Sequence, residues 1–329
     1  MRTDLIDPLL EPVPAAWDEL AVGTGAPVFW HAAPLVVAAW TAQTPPVMAV
    51  VTDGARPVAL FHGRFQGPAD FRRFHRPGTV PPLGVLECRL APASVAGHRF
   101  AADLDATARA EAVAAFERAV RQRFRVVAFC YRHVESDAVA AVRGRGRRVL
   151  SVSPDTVLTT EWSSVEDYLR SLPPKWRSQL KKIRATVAAD PRVHRAVVDE
   201  VPVAQAARLV NLVRSRHQRR GLVRAPIPEQ YFALLNADPA TSFATYSDSR
   251  GLLALSTLHD NGDDVRMSYW GNRDRTEGGL PNLYFDHYVD VVAHTLALGR
   301  RTLYPGKGMT QIKQRFGARA EPNHLVIGR

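Results

Sequence analysis

Two spacings of apolar residues alternate along the chain. Phe29 to Trp40 is apolar over the length of a helix, and Val47 to Thr52 then reads as a strand. Asp53-Gly54 follows, and beyond it a second strand-like run, Val58 to Phe65. An Asp-Gly pair between two apolar runs predicts a hairpin. Residues 67–84 hold Pro, Gly and Arg without periodicity, which predicts a long loop. Ala106 to Phe124 returns to helical spacing, with Ala112, Val113, Phe116 and Val120 on one face, and Val126 to Tyr131 is a short strand. Arg143 to Arg148 closes this half as a basic turn.

The second half opens near Trp162. Ser163 or Ser164 caps a helix through Glu166, Tyr168 and Leu169, Pro173-Pro174 ends it, and Lys175 to Ala189 forms a very basic second helix. Val203 to Arg219 is another helix, with Ala207, Val210 and Val213 along one face. Ser242 to Tyr246, Leu252 to His259 and Val265 to Trp270 read as successive strands, with Asn261-Gly262 turning the last pair. Leu283 to Leu298 is a helix closed by Gly299, and Thr302 to Tyr304 is a strand running into the loop Pro305 to Gly308. Strand, hairpin, strand, helix, strand thus occurs here, with a shorter version in the first half. The order predicts an α/β protein with mixed sheets, built as two similar units side by side rather than one doubly wound parallel sheet. At 329 residues the chain also exceeds what one core usually supports, and the expected division is 1–160 and 161–329.

Charge changes this picture. Lys and Arg number 43 against 32 Asp and Glu, a formal net charge of +11. The excess lies in 143–148, 170–195, 214–224 and 300–319, where Asp190 is the only acidic residue. Such fields favour polyanions, with tRNA, nucleotide diphosphates and coenzyme A as candidates; the alternative is surface decoration by an arginine-rich composition. Only five cations are lysines: Lys175, Lys181, Lys182, Lys307 and Lys313. Retention of a compact ammonium in two short segments points to a specific need there.

Other chemistries are excluded by what the sequence lacks. Cys88 and Cys130 stand apart with no ligand spacing, which gives neither a disulfide framework nor a metal site, and Cys130 reads as a buried strand residue. Gly306-Lys307-Gly308 is not a P-loop, since no Gly stands at the required upstream position and Gly308 replaces the hydroxyl. No GxGxxG, HExxH or GxSxG motif occurs. There is no apolar run long enough to span a membrane, and Met1 to Leu20 is interrupted by acids and prolines. A cytoplasmic protein without membrane insertion is expected.

Two segments carry the functional reading. On a helix starting near Lys175, the residues Arg177, Lys181 and Arg184 form a cationic ridge, while Trp176, Leu180 and Ile183 form the apolar side. The alternative is a plain solvated amphipathic helix. The second segment comprises Met267 to Gly271, Leu280 to Tyr288, Leu303 to Gly308 and Ile312 to Ala318. Together these pieces resemble the FemAB-like (peptidoglycan biosynthesis/recognition) aminoacyl- and acyltransferases of the acetyltransferase (GNAT) superfamily, over roughly Trp162 to the C-terminus and more faintly over Phe29 to Phe65.

The resemblance implies two tandem GNAT-like domains, the second carrying the transfer site, and an EC 2.3 type transfer of an acyl or aminoacyl group to an amine. Aminoacyl-tRNA is the expected donor and acyl-coenzyme A the alternative; no tightly bound cofactor or metal is expected. The departure of Leu303, Gly306 and Gly308 from the usual pyrophosphate loop counts against ordinary acetyl-coenzyme A. The acceptor would be a small-molecule amine, such as a natural-product or cell-wall precursor. Lys313 would stabilise the oxyanion or bind the donor's terminal ribose, although Ile312 stands where relatives carry an aromatic. Asp286 is the candidate proton acceptor, with helix capping as its alternative, and His287 a second candidate or a structural histidine. Lys175, Arg177, Lys181, Lys182, Arg184, Gly306, Lys307, Gly308 and Arg315 are donor or phosphate candidates. Tyr269, Trp270, Tyr284, His287 and Tyr304 are acceptor-pocket candidates, with core packing as the alternative for the aromatics. A non-catalytic nucleic-acid-binding protein that kept the fold is the third reading.

Overall fold

The computed structural model describes residues 1–67, 74–90, 95–216 and 225–329. Two compact units emerge. The first comprises Met1–Ser153 with Pro322–Arg329, and the second 154–216 with Ile227–Glu321. The units therefore differ from the expected 1–160 and 161–329. The final residues belong to the first unit because 323–328 pair antiparallel with its sixth strand.

The first unit contains β1 (Arg2–Ile6), α1 (Ala15–Gly23), α2 (Ala32–Ala39), β2 (Pro46–Asp53), β3 (Arg56–Gln66), β4 (Gly84–Cys88), β5 (His98–Phe100), α3 (Ala106–Arg123), β6 (Val126–Glu135) and α4 (Val139–Val142), and ends within β7 (Arg148–Thr159). Its sheet runs β1-β2-β3-β4-β6, with β5 on β3; β4 and β6 are parallel and the other pairs antiparallel. The predicted hairpin is present, with Asp53 opposite Arg56 and Gly54 at φ +59°. On α3, Ala112, Val113, Phe116 and Val120 are buried, and Phe116 stacks on Phe61 at 4.2 Å. Asp105 caps this helix by accepting from the Ala108 amide at 2.7 Å. The helix expected over Phe29 to Trp40 splits at His31 into a single turn, Val28–Trp30, and α2. Pro34 fits there because it lies in the first turn of α2, where its missing N–H has no helical acceptor to satisfy.

The second unit contains α5 (Val165–Ser171), α6 (Pro174–Ala188), β8 (His194–Val198), α7 (Val203–Arg216), α8 (Glu229–Asn236), β9 (Thr241–Asp248), β10 (Gly251–Asp260), β11 (Asp264–Asn272), α9 (Leu283–Ala297), β12 (Thr302–Tyr304), α10 (Thr310–Arg315) and the start of β13 (Arg319–Gly328). Its sheet runs from the 154–159 end of β7 through β12-β11-β10-β9-β8, and only β11 with β12 is parallel. Ser164 caps α5, accepting from the Asp167 amide at 3.1 Å, and Gly299 ends α9 at φ +66°. Tyr288, Val289 and Val292 of α9 belong to one buried cluster with Leu258, Val265 and Met267. On α6 the predicted apolar side, Trp176, Leu180 and Ile183, is buried together with Val187. The predicted extension of α7 to Arg219, part of the 67–84 loop and most of the 214–224 basic stretch lie outside the described residues.

Candidate functional site

The site is built on β11. Its register with β10 passes from Leu258 opposite Met267 to Ser256 opposite Trp270, so β11 carries one extra residue, a β-bulge. The bulge leaves the Tyr269 amide without a ladder partner, and it donates instead to the Thr257 hydroxyl at 3.1 Å. An inserted residue also reverses which side chains face which way. Met267 and Trp270 therefore both meet α9, whereas Tyr269 turns to α8, with its ring 5.9 Å from that of Tyr231. This corrects the expectation that Tyr269 and Trp270 line one pocket: neighbouring strand residues point to opposite faces.

On its other side β11 pairs with β12 only from Asp264 opposite Thr302 to Arg266 opposite Tyr304. Beyond Arg266 it continues to Asn272 while β12 ends and the chain turns away. The parallel pair of the first unit is longer, from Gly84 opposite Val126 to Cys88 opposite Tyr131, and there β6 likewise runs on past its partner, to Glu135.

The loop after β12 is held at that opening. Gly306, Gly308 and Met309 have φ of +77°, +81° and +50°. A Cβ on Gly306 would lie 3.2 Å from the Met267 carbonyl oxygen, so glycine suits both the backbone twist and the close approach. The Gly306 carbonyl accepts from Thr156 Oγ1 at 2.7 Å and from Lys313 Nζ at 2.7 Å; Lys313 also reaches the Lys307 carbonyl at 3.3 Å. Lys313 is buried, and burial brings its pKa down to about 8. Lys307 pairs with Asp155 at 3.4 Å, while Gly308 and Arg315 are exposed.

The acidic candidate is embedded differently. Asp286, fully buried on α9, accepts from the Tyr246 hydroxyl at 2.8 Å, and the same hydroxyl lies 3.1 Å from Asp290. Arg184 NH1 lies 3.1 Å from Asp286 Oδ1 as an ion pair and donates to Asp290 Oδ1 at 2.9 Å. Burial and the neighbouring Asp290 raise the Asp286 pKa, against the opposing pull of Tyr246, Arg184 and Arg195. Arg184 is therefore turned inward, not aligned with Arg177 and Lys181 on an open ridge. Lys175, Lys181 and Lys182 are exposed, and Arg177 donates to the Arg170 carbonyl at 2.9 Å. Trp176 packs on Phe316 at 5.2 Å, which joins the first turn of α6 to the end of α10.

Trp270, Tyr284 and His287 come together, with ring distances from Trp270 of 5.4 and 4.7 Å. His287 is fully buried, and neither ring nitrogen nor the Tyr284 hydroxyl has a hydrogen-bond partner among the described residues. Burial depresses the imidazole to about 3, so it is neutral. Tyr304 lies apart from this group, under the Arg266 guanidinium at 4.0 Å. Of the other second-unit partners, Asp155, Thr156 and Tyr246 act across large sequence separations that leave no local signal, whereas Asp290 stands one helical turn from Asp286, a spacing the sequence does carry. Among the described residues no His, Cys, Asp and Glu group is suited to a metal ion, and no helix is long and apolar enough to cross a membrane.

No family model matches the chain, and no curated protein matches it in sequence. Solved structures do. The L-PGS structure from Bacillus licheniformis superposes with a TM-score of 0.62 at 11% identity, covering 96% of this chain and 92% of that one. FemX superposes with a TM-score of 0.57 at 11% identity, covering 99% and 97%. The C-terminal domain of a putative lysylphosphatidylglycerol synthetase from Agrobacterium fabrum gives 0.55 at 12%, covering 90% and 87%. The chain has the fold of FemX and L-PGS. The FemAB-like resemblance read from the motifs near Trp270, Asp286 and Lys313 is thus met at the level of architecture, along the whole chain and not its second half alone.

Proposed function

We propose that the protein is an aminoacyl-tRNA-dependent transferase that forms an amide bond on a small-molecule amine, a natural-product or cell-wall precursor. The observation that carries this reading is the clamped loop 305–309, set where β11 and β12 part. Aminolysis of an activated ester needs a neutral amine held close to the carbonyl and donors for the oxyanion that develops. The loop has main-chain amides at Gly308 and Met309 in left-handed conformations, and these would donate to phosphate or carbonyl oxygen. Lys313 acts through that loop, since its ammonium is already committed to the Gly306 and Lys307 carbonyls. Trp270, Tyr284 and neutral His287 would take the acceptor.

Asp286 is a positioning residue in this scheme. Tyr246 and Arg184 hold its carboxylate, and the proton lost by the attacking nitrogen ends on the ribose oxygen, which leaves as a hydroxyl when the ester C–O bond breaks. The exposed ammoniums of Lys175, Lys181 and Lys182 extend over about 10 Å of helix at 1.5 Å per residue, longer than one pyrophosphate and suited to successive backbone phosphates. A tRNA donor would place the reaction in the cytoplasm. One observation favours a second reading: the unpaired edge of β11 beyond Arg266 could pair with the amides of a coenzyme A arm. Incubation with charged tRNAs and a panel of acyl-coenzyme A thioesters, followed by mass spectrometry of the discharged donor, tests both. Discharge of thioesters alone replaces the donor; discharge of neither ends the transferase reading.

A further inference from the structure

The first unit holds a charge cluster that the transfer reaction does not use. On β3, β4 and β6, side chains alternate between the core and the opposite face. Phe65, Leu86, Cys88, Phe129 and Tyr131 enter the core. Arg64, Gln66, Glu87 and Arg132 lie on the other face. Glu87 stands directly opposite Arg64 on β3 and opposite Cys130 on β6.

Three guanidinium groups converge on the Glu87 carboxylate. Arg64 Nε donates to Oε2 at 2.6 Å, Arg132 NH1 donates to Oε1 at 2.8 Å, and Arg89 Nε lies 3.3 Å from Oε2. Gln66 Nε2 adds a neutral donor at 2.7 Å. Among the described residues one carboxylate thus faces three guanidinium groups, so positive charge is in excess around it. The Glu87 side chain is only 6% exposed, whereas those of Arg64 and Arg132 are 34% and 44% exposed, each using a single nitrogen on Glu87. The acid thus lies at the base of the cluster and the open forks lie above it. The surplus is felt nearby: buried His62 is held neutral by desolvation first, and the Arg89 and Arg64 charges push the same way.

We propose that this cluster is an anion site for a dianionic phosphate group, with Glu87 holding the Arg64 and Arg132 forks in place. A phosphate monoester or inorganic phosphate carries close to two negative charges at neutral pH and at least three acceptor oxygens, more of both than a carboxylate ligand would offer the Arg64 and Arg132 forks. Fork geometry favours phosphate oxygens for the same reason it favours Glu87.

The test is residue-resolved, so phosphate binding at the lysines of the second unit does not confuse it. Arginine-selective phenylglyoxal labelling of the full chain is mapped by mass spectrometry at constant ionic strength, with chloride, inorganic phosphate or adenosine diphosphate present. Phosphate should slow labelling of Arg64 and Arg132 relative to chloride. Protection by adenosine diphosphate alone would mean that the phosphate belongs to a larger ligand. Calorimetric titration of the protecting anion should then weaken by about tenfold in Arg132→Gln and tighten in Glu87→Gln, whose excess charge is greater by one. Arg132 is exposed enough that its variant is expected to fold even if Glu87→Gln does not. Equal labelling in all three salts, or unchanged affinity in Arg132→Gln, overturns the proposal.

Discussion

The Lys313 ammonium donates to the Gly306 carbonyl at 2.7 Å, and the Thr156 hydroxyl donates to that same oxygen at an equal distance. Two groups from separate elements thus fix one carbonyl of the loop where β11 and β12 part. If Lys313 works by holding this loop, Lys313→Met should lower transfer by more than about tenfold, and Thr156→Val should lower it in the same direction by less. The double variant should then be barely worse than Lys313→Met alone. A Thr156→Val enzyme with full activity beside an inactive Lys313→Met enzyme would show instead that the ammonium acts directly on the reacting group.

Lys313 also predicts a pH response. Its pKa falls from 10.5 in the unfolded chain to about 8 in the fold, because burial disfavours the ammonium. Between those values the unfolded chain binds more protons, so this residue's contribution to stability is complete above 10.5, is lost as pH falls, and is flat below about 8. Loop function runs the other way, since the clamp needs the charged form. Donor affinity should therefore drop above about pH 8 while resistance to urea at this residue rises. Titrating donor binding in wild type and Lys313→Met separates the two, as the variant should lose both trends.

How much of this was legible depended on distance along the chain. Asp53-Gly54, the apolar face of α3, the Ser164 cap and the Gly299 stop are local signals, and each element formed where expected. Short strands such as β1 and β8 carried no periodicity and were not read. Adjacent Tyr269 and Trp270 were assigned to one pocket, although a strand sends neighbours to opposite faces, an error visible without coordinates. Arg184 was different: helical spacing placed it with Arg177 and Lys181, and only the approach of α9, with Asp286 and Asp290 about a hundred residues later, turned it inward. Thr156 gave no signal at all, since a threonine in a strand is unremarked until a loop carbonyl arrives beside it.

The Asp286 and Arg184 pair separates a structural acid from a catalytic one. Asp286→Ala leaves Arg184 with Asp290 as its remaining acid, and Arg184 is partly exposed, so the loss should fall below that of an isolated buried pair, at about 2–3 kcal/mol. Urea denaturation measures that loss. Activity per folded molecule should fall far less than in Lys313→Met. The opposite pattern, intact stability with abolished turnover, would restore Asp286 as the proton acceptor.

Acid should unfold the protein early, through its histidines. His62 and His98 are brought down to about 4, and His259 and His287 to about 3, in each case chiefly by burial. In the unfolded chain the same imidazoles titrate near 6.5. Their depressed values mean that the neutral state fits the fold, so the stability they permit is complete above 6.5 and is lost as pH falls toward 4. At pH 5 each should steepen the loss by about 1.4 kcal/mol per pH unit. Urea midpoints between pH 7 and 4.5 should show this steep decline. His287→Leu, which removes an imidazole with no hydrogen-bond partner among the described residues, should reduce the slope by one histidine's share. An unchanged slope would mean that His287 takes up a proton inside the folded protein, which requires a polar partner, such as a bound acceptor or water, beside Trp270.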